Sequence, residues 1–476
     1  MPYKDLRQFI DKLEKESEAK RIEEEIDWNL EAGAMIRRSN ELGLPAPFFQ
    51  RIRGFSDEYR LFGEVLGSIK RVAIAMDMDR NTGVRELVEE FLRRKRNPIK
   101  PVLVNHGSCK ENVHLGDDVD LFEFPVPMIH KGDGGRYVGS SHLTICKDPD
   151  SGWINWGTYR HMLHNKNTIG LQAGPQRHIR KIQSQSWEPR GKATEVAIAI
   201  GVDPVLNLCA ATPLPHGVSE VDIASGVRGE PVELIMCETV DLPVPATAEI
   251  VIEGEIILGK TMDEGPFGEY TGYIGGHREP RSVIHVKAVT HRNNPILTMG
   301  CEGIPTTQSH TIPSITRAAE LLDLLKTRGF PITGVSVPVE MVGMAAVVAI
   351  KAGHADMVDD IAHMIWGAHI GRNLPWIIFV EDDVDPFNLA NVMHAVVSKC
   401  HPYRGVVRLG HTSGMALHPW LNRHEQTYML GAKAYFDCTW PRDWESSDIP
   451  PRCSFENIYP LEIKQKVLAV WSKYGY

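Results

Sequence analysis

The chain has 476 residues, of which 42% are hydrophobic and 24% are charged, and its formal net charge is −9. This is the composition of a globular protein, long enough for two or three domains with substantial cores. An acidic balance without a long basic run argues against nucleic acid as a partner. No apolar run approaches the length that spans a membrane, so we predict no membrane partner.

The cysteines and the N-terminus indicate the compartment. The eight cysteines are scattered and include no Cys-x-x-Cys pair, so neither a disulfide framework nor a zinc ribbon is expected. The first residues, Met-Pro-Tyr-Lys-Asp, do not begin an apolar signal region. We therefore predict a cytoplasmic protein in a reducing environment.

The N-terminal part, residues 1–112, predicts a small α/β domain. Asp5 is a plausible cap for an amphipathic first helix whose apolar residues fall at helical spacing: Leu6, Phe9, Ile10 and Leu13. Short apolar strands then alternate with helical patterns such as residues 84–94.

The pattern changes to β between residues 113 and 305. Residues 195–202 form a short apolar run, and residues 248–258 and 282–290 alternate at the strand period. Proline and glycine separate these segments, as expected of a barrel or sandwich.

Helices return in residues 306–458. The segments 315–326, 356–368 and 388–399 have helical spacing, and the runs 344–350 and 376–380 predict strands between them. This alternation predicts a second α/β layer domain. The tail, residues 459–476, predicts a helix with an apolar side that docks either on its own domain or on a partner subunit.

Residues 263–272, with the sequence Asp-Glu-Gly-Pro-Phe-Gly-Glu-Tyr-Thr-Gly, are the most informative stretch of the chain. A regular strand does not continue through Gly265-Pro266, so we expect a turn here. A rigid turn that presents Glu264 and Glu269 suits an acid/base pair whose environments separate the two pKa values. The alternative is that both glutamates are solvated at a surface turn.

Three further segments carry candidate ligands. Asn155 offers an amide oxygen, and Arg160 a fork of donors suited to a carboxylate or phosphate. His178 is a possible ligand, and Glu233 stands between apolar residues, where a carboxylate needs a metal or an arginine. Asn, His and Glu together favour Mn²⁺ or Mg²⁺, with positions left for phosphate oxygens. Since these residues lie on separate segments and each type is usually a simple hydrogen bonder, spacing alone does not establish a metal site.

Taken in order, these segments resemble the UbiD-like decarboxylases almost from end to end. The motifs are Asn-Trp-x-x-x-Arg at Asn155 to Arg160, His178, Val-Glu-Leu at Glu233, and Glu-Gly-Pro-Phe-Gly-Glu at Glu264 to Glu269. The match continues through Arg292-Asn293-Asn294. It then includes the acidic run that begins at Glu381, and it ends in the tail. The Asn-Trp-x-x-x-Arg segment and the tail look closest to the branch of fungal ferulic and cinnamic acid decarboxylases.

The resemblance implies a reaction that the residues alone do not reveal. Loss of CO₂ from an sp² carbon leaves a carbanion without an internal electron sink, so a cofactor must supply one. In this family the cofactor is prenylated FMN, made by a UbiX-like flavin prenyltransferase and held in a split β-barrel of the flavin-reductase type. The expected architecture is therefore a central split barrel at residues 113–305, flanked by α/β domains and followed by the terminal helix.

Carried over position by position, the resemblance assigns the site. Mn²⁺ would be held by Asn155, His178 and Glu233, and a structural K⁺ by Trp156, Cys209, Ala210 and Thr212, largely through carbonyl oxygens. The cofactor would be lined by Asn155, Trp156, Gly157, Thr158, Tyr159, Arg160, Arg177, His178, Glu233 and His369. Arg160 would lie beside the substrate carboxylate and Glu264, and Glu269 would deliver the proton after CO₂ leaves.

This sequence departs from the fungal pattern at several positions. His369 stands where a phosphate-contacting lysine occurs, and Arg177 replaces a glutamine near the flavin. The expected substrate pocket comprises Pro313, Met415, Leu417 and His418. Met415 and His418 replace aromatic stacking residues, so an aromatic or heteroaromatic acid is as good a candidate as a cinnamate.

The leading hypothesis is a reversible, non-oxidative decarboxylase of an aromatic, heteroaromatic or α,β-unsaturated acid, forming a dimer or hexamer. An FMN-dependent oxidoreductase on the same barrel is the main alternative, but redox chemistry does not require both glutamates and Arg160. A non-catalytic subunit would be expected to lack a motif residue, and none is missing. A two-carboxylate glycosidase accounts for Glu264 and Glu269 but not for the Asn-His-Glu set.

Overall fold

The computed structural model describes residues 3–475. Its helices are α1 (Leu6–Lys15), α2 (Glu31–Glu41), α3 (Ile69–Ala75), α4 (Val84–Lys95), α5 (His178–Ile182), α6 (Pro204–Ala210), α7 (Glu220–Arg228), α8 (Gln308–Thr327), α9 (Val358–Gly367), α10 (Leu389–Ser398), α11 (Arg423–Tyr428), α12 (Phe455–Ile458) and α13 (Leu461–Val470). Its strands are β1 (Ala19–Ile26), β2 (Ala46–Ile52), β3 (Arg60–Gly63), β4 (Val102–Leu103), β5 (Asn112–Leu115), β6 (Tyr137–Gly139), β7 (His142–Lys147), β8 (Ile154–Gly157), β9 (His161–Asn165), β10 (Thr168–Leu171), β11 (Thr194–Ile200), β12 (Glu233–Met236), β13 (Pro243–Pro245), β14 (Ile250–Glu264), β15 (Phe267–Gly268), β16 (Ile274–Gly275), β17 (Glu279–His291), β18 (Ile296–Met299), β19 (Ile332–Ser336), β20 (Ala345–Ile350), β21 (Trp376–Glu381), β22 (Val406–Ser413) and β23 (Leu430–Cys438).

The N-terminal layer follows the predicted pattern. The Asp5 side chain caps α1 by accepting a hydrogen bond from the backbone N–H of Gln8 at 2.9 Å, and the four predicted apolar residues of this helix are buried. Helix α4 confirms the helical pattern of residues 84–94. The sheet beneath these helices has the order β1-β2-β3-β18.

Strand β18 comes from residues that the sequence boundaries place in the central domain. It pairs in parallel with β3, with Ile296 opposite Arg60 and Met299 opposite Gly63. The N-terminal sheet is therefore discontinuous in sequence, because its last strand arrives after the chain has passed through the central sheet.

The central sheet is antiparallel and has the order β6-β9-β10-β17-β14-β11-β7-β8, with β5 also paired to β17. Its longest strands, β14 and β17, pair from Ile250 opposite His291 to Glu264 opposite Glu279. They confirm the strands predicted at 248–258 and 282–290 and extend them. Strand β14 ends at Glu264, immediately before the Gly265-Pro266 break.

The C-terminal domain confirms the predicted α/β layer. Its sheet has the order β19-β20-β21-β23-β22, with β20, β21 and β23 parallel and β19 and β22 antiparallel at the edges. Helix α8 connects this domain to the N-terminal layer, since Asp323 on α8 pairs with Arg96 after α4 at 2.6 Å.

The tail forms the predicted helix, α13, preceded by α12. Neither helix has a buried residue within the described chain, and their large apolar side chains are exposed, including Leu461 at 66% and Leu468 at 60%. Across residues 3–475, every helix is too short or too polar to cross a bilayer.

Candidate active site

The segment from Asn155 to Arg160 joins two parts of the candidate site. Asn155, Trp156 and Gly157 lie on β8, whose alternate residues are fixed by antiparallel pairing with β7. The chain then leaves the sheet, and Arg160 lies just before β9. The first five residues line a cleft, whereas Arg160 reaches the acidic turn that follows β14.

Arg160 binds both glutamates of the predicted acid/base pair. Its Nε and Nη2 donate to the two carboxylate oxygens of Glu264 at 2.8 and 2.9 Å, and its Nη1 donates to Glu269 Oε1. The hydroxyl of Tyr137 donates to Glu264 Oε1 at 2.8 Å. This bidentate pairing fixes Glu264 and the guanidinium plane, so Glu269 is the less constrained carboxylate.

The turn that carries Glu269 is held by its neighbours. The carboxylate of Asp133 accepts hydrogen bonds from the backbone N–H of Gly268 at 2.8 Å and of His130 at 2.9 Å. The backbone of Glu269 closes a small loop, donating to the carbonyl of Tyr273 at 3.0 Å and accepting from Gly272 N–H at 3.0 Å. A surface turn with solvated glutamates is therefore wrong, because Glu264 is 2% exposed and Glu269 6%.

The surroundings of Glu269 and Arg160 shift the pKa values of both side chains. Burial raises the pKa of Glu269 to about 7, an effect that Arg160 opposes and that Glu302 and Glu264 strengthen. Although burial opposes its charged form, hydrogen bonding to Glu264 and the charge of Glu269 raise the pKa of Arg160. Glu269 thus retains a proton to about pH 7, while Arg160 stays cationic beside it.

Gly275 leaves the space that the Glu269 side chain occupies. A Cβ atom at this position would lie 2.6 Å from Cγ of Glu269 and 3.4 Å from Cδ2 of Leu417. We expect Gly275→Ala to displace the carboxylate and to lower turnover by about 10- to 100-fold, as a shift of about 1 Å at a reacting group does. Binding of the flavin that the family resemblance implies, read from the absorbance spectrum, should not change.

Gly410→Ala is the matched control for this substitution, since a Cβ atom at Gly410 would meet no atom within 4 Å. Equal turnover of the two variants would show that the position of Glu269 does not limit the reaction.

The cleft beside this network has a volume of about 400 Å³, including the part open to solvent. It is lined by Asn155, Trp156, Gly157, Thr158, Tyr159, Arg177, His178, Ala210, Ala211, Thr212, Pro213, Leu214, Glu220 and His369. Most of the residues predicted to hold a cofactor thus lie around one space.

Glu220, which sequence reasoning missed, takes the place predicted for Glu233. Its Oε1 accepts from Nδ2 of Asn155 at 3.1 Å, and its Oε2 from the backbone N–H of Trp156 at 2.9 Å. It begins α7, where the partial positive charge of the helix N-terminus favours a carboxylate. Burial raises its pKa to about 8, an effect that the hydrogen bonds from Trp156 and Asn155 oppose.

Glu233 is a correction to the predicted ligand set. It is exposed on β12, a strand of a different sheet that pairs with β4 and β13, and it does not line the cleft. Its neighbours Val232 and Leu234 are buried, and consecutive strand residues point to opposite faces, so Glu233 faces solvent.

Asn155 is the centre of a group of acceptors. Its Nδ2 lies 3.1 Å from Glu220 Oε1, 3.2 Å from the carbonyl of Trp156 and 3.4 Å from Nδ1 of His178. An amide nitrogen and oxygen exchange places by a simple flip, after which Asn155 would also present an oxygen acceptor beside Glu220 and His178. Amide, carboxylate and imidazole groups are of the types that can bind a divalent cation.

His369 and His178 meet on the far side of the cleft. Their rings are stacked, with centroids 5.6 Å apart and an angle of 12° between planes. Burial lowers the pKa of His369, and the charges of Arg177, Arg372 and Lys181 lower it further. This end of the cleft therefore offers positive charge to an anionic group.

Of the four residues predicted for a second cation, Trp156 is on β8, and Cys209, Ala210 and Thr212 lie at or just after the C-terminal end of α6. Ala210 and Thr212 line the cleft, where the last carbonyls of a helix carry partial negative charge. Cys209 is buried behind them and does not line the cleft. Its carbonyl accepts a hydrogen bond from Thr212 N–H at 3.1 Å.

The predicted substrate loop is close to the acidic turn. The hydroxyl of Tyr270 lies 3.7 Å from Sδ of Met415, and Leu417 adjoins Gly275. His418 is buried against Trp420, and burial lowers its pKa to about 4. Pro313 lies in α8, one turn after His310, whose Nε2 is 2.6 Å from the carbonyl of Tyr270.

Comparison with known proteins identifies the family. Residues 10–91, 100–305 and 310–438 match the N-terminal domain, the Rift-related domain and the C-terminal domain of 3-octaprenyl-4-hydroxybenzoate carboxy-lyase. The chain belongs to the UbiD family of carboxy-lyases. The family and the enzyme class predicted from sequence are confirmed.

Two relatives show what UbiD enzymes at this distance act on. The chain is 33% identical to pyrrole-2-carboxylic acid decarboxylase of Pseudomonas aeruginosa over 99% of this chain and 98% of the relative. It is also 33% identical to ferulic acid decarboxylase 1 of Saccharomyces cerevisiae over 100% and 99% of the two chains.

Solved UbiD structures confirm the mixed α/β fold. Vanillic acid decarboxylase of Sedimentibacter hydroxybenzoicus, in closed form, superposes with a TM-score of 0.90 at 29% identity, covering 99% of this chain and 100% of that one. An evolved dimeric form of the UbiD-class enzyme HmfF from Pelotomaculum thermopropionicum, in complex with prFMN, gives 0.80 at 28% identity, covering 94% and 97%.

Proposed function

We propose that this protein is a prenylated-FMN-dependent, reversible, non-oxidative decarboxylase of an aromatic, heteroaromatic or α,β-unsaturated carboxylic acid. The observation that carries the proposal is the continuity of residues 155–160. The same short segment lines the cleft and delivers Arg160 to a buried pair of glutamates. A cofactor bound in this cleft would lie next to an acid/base group.

The residues of the cleft fit a flavin phosphate with a divalent cation. The acceptors grouped at Asn155 suit a hard cation such as Mn²⁺, with Glu220 as the carboxylate ligand and His178 as the nitrogen ligand. Arg177 and His369 supply donors for phosphate oxygens, and the indole Nε1 of Trp156 is buried without a hydrogen-bond partner among the described residues. We further propose that the central sheet is the split barrel that holds the flavin, and that carbonyls at Trp156, Ala210 and Thr212 hold K⁺.

The protein's own residues perform positioning and proton transfer. When bound, the cofactor supplies the electron sink that decarboxylation at an sp² carbon needs. Arg160 orients the substrate carboxylate, and Glu264 holds its guanidinium in place. Glu269 keeps a proton in a desolvated position and delivers it to the substrate carbon after CO₂ leaves. In the carboxylation direction the same group removes that proton.

The substrate class follows from the turn and the loop beside it. Tyr270, Met415 and Leu417 present an apolar, partly aromatic surface next to Glu269. His418, buried and uncharged at neutral pH, adds a polar edge that suits a heteroaromatic or hydroxylated ring. Relatives that act on pyrrole-2-carboxylic and ferulic acids support this choice.

The test is to coexpress the protein with a UbiX-like flavin prenyltransferase, supply Mn²⁺, and analyse the bound cofactor by absorbance and mass. Prenylated FMN together with CO₂ release from an aromatic or acrylic acid is the expected result. Unmodified FMN in the presence of active prenyltransferase would instead favour the FMN-dependent oxidoreductase. Absence of flavin would favour a non-catalytic subunit of a decarboxylase complex.

We propose that α13 makes the enzyme a homo-oligomer, either a dimer or a hexamer. Leu461 and Leu468 lie two turns apart on this helix and are exposed in the single chain. We expect Leu468→Glu to shift the mass measured by light scattering toward the monomer, because it places a charge in an apolar interface. Lys466→Glu on the same helix should leave the mass unchanged, and an unaltered mass for Leu468→Glu would contradict this interface.

A further inference from the structure

A second group of metal-ligating side chains lies at the other end of β17 from the acidic turn. His291 is the last residue of this strand and pairs with Asn112 of β5. His114 is two residues further along β5, so it lies on the same face of the sheet as His291. Glu123 comes from the helical turn Leu121–Glu123 that follows. The ligand atoms of His114, Glu123 and His291 all lie within 4.8 Å of one another.

The distance between the two imidazoles is that of ligands in a metal coordination shell, and the Glu123 oxygens lie somewhat farther away. The Nε2 atoms of His114 and His291 are 3.3 Å apart, and the carboxylate oxygens of Glu123 lie 3.8 Å from Nδ1 of His114 and from Nε2 of His291. Nitrogen ligands about 2.0–2.1 Å from a tetrahedral Zn²⁺ are themselves about 3.3–3.4 Å apart. The two imidazoles already have this separation.

The tautomer of His291 favours a ligand role. Its Nδ1 lies 2.8 Å from the carbonyl oxygen of Arg292, which only accepts, so Nδ1 carries the hydrogen and Nε2 presents a lone pair to the cluster. A backbone carbonyl that orients the other ring nitrogen is a common outer contact of metal-binding histidines.

One carboxylate oxygen of Glu123 lacks a hydrogen-bond donor among the described residues. This oxygen, Oε1, is buried, although it points toward His291. A buried carboxylate oxygen without a donor is costly. The ring of Phe124 packs edge-on against His291 at 5.5 Å and excludes water from one side.

We propose that His114, Glu123 and His291 form a binding site for Zn²⁺ or a similar transition-metal cation, separate from the cofactor cleft. Two imidazoles and one carboxylate are a recurrent Zn²⁺ ligand set, with a water molecule in the fourth position. The His114 side chain is 31% exposed, which gives an ion access from solvent. A bound ion would connect β5, the turn at Glu123 and the end of β17, and so stabilise this edge of the central sheet.

The alternative is a histidine pair joined by a hydrogen bond, with Nε2–H of His114 donating to Nε2 of His291. That arrangement satisfies both rings but leaves Oε1 of Glu123 without a donor. The two arrangements differ in whether replacing Glu123 affects metal binding, and this difference defines the experiment.

The test is to titrate Co²⁺, a coloured substitute for Zn²⁺, into the full-length protein in the presence of excess Mn²⁺, which occupies oxygen-rich sites. We expect one equivalent of Co²⁺ to give the intense visible absorption of tetrahedral coordination, and Zn²⁺ to abolish it. His114→Gln and Glu123→Gln should weaken Co²⁺ binding by about 100-fold or more, since even outer-shell losses cost about 10- to 100-fold.

His285→Gln is the matched control, because His285 is an exposed histidine on the same strand. It should bind Co²⁺ as the wild type does. Should His114→Gln fail to fold, Zn²⁺ should still raise the Tm of the wild type and of His285→Gln but not that of Glu123→Gln. Absence of the tetrahedral band in the wild type, or an unchanged affinity in Glu123→Gln, would overturn the proposal.

Discussion

Glu269→Gln is expected to lower kcat by about 10²–10⁴-fold while leaving cofactor binding intact, because the amide cannot deliver a proton. The substitution preserves the shape of a side chain that is 6% exposed, and the contact to Arg160 can persist through the amide oxygen. Flavin and metal content should therefore match the wild type, and only turnover should change.

The pH profile of the wild type provides the check on this role. Because burial raises the pKa of Glu269 to about 7, the group is protonated below this pH and loses its proton as the pH rises through it. The rate of decarboxylation should therefore decline above about pH 7. The rate of carboxylation, in which Glu269 removes a proton, should instead decline below about pH 7. Full activity of Glu269→Gln, or a flat profile between pH 6 and about pH 8, would exclude Glu269 as the proton donor.

The acidic turn could be predicted from sequence because its features are local. Gly265-Pro266 ends β14, and a short spacer puts Glu264 and Glu269 on either side of the turn. The family resemblance supplied Arg160 as their partner. The burial of both glutamates could not be read locally, since it depends on Asp133 and Tyr137, which come from a loop and a strand far away in sequence.

The strands of the central sheet were predictable for the same reason, whereas their partners were not. Apolar alternation in β14 and β17 reports which face of each strand is buried. It does not report that β18 crosses to the N-terminal sheet or that β5 joins β17. These pairings are set by contacts between residues distant in sequence.

Glu220 shows how an ordinary position can conceal a candidate ligand. A glutamate in the first turn of a helix is common, because the helix N-terminus stabilises its charge. Nothing in the local pattern separates it from a solvated cap. Glu233 had the more suggestive surroundings, but it is exposed at the start of β12 although Val232 and Leu234 on either side of it are buried.

The two glutamates therefore form a matched pair of variants for the metal site. Glu220→Gln is expected to lower the affinity for Mn²⁺ by about 100-fold or more and to lose flavin with it, since a direct ligand contributes at least as much as outer-shell groups. Glu233→Gln should retain both, because its side chain is exposed on another sheet. Metal analysis and flavin absorbance of the purified variants measure the two losses side by side.

Comparing Glu220→Gln with Glu233→Gln distinguishes loss of a metal ligand from a general effect on folding. Glu220 also accepts hydrogen bonds from Asn155 and Trp156 on its two different oxygens, and the single oxygen of glutamine can keep only one of them. A folded Glu220→Gln protein with depleted Mn²⁺ shows that the Glu220 carboxylate, and not the fold as a whole, is needed to hold the metal. Retention of Mn²⁺ by Glu220→Gln, with loss in Glu233→Gln, would return the ligand role to Glu233 and require β12 to rearrange when the cofactor binds.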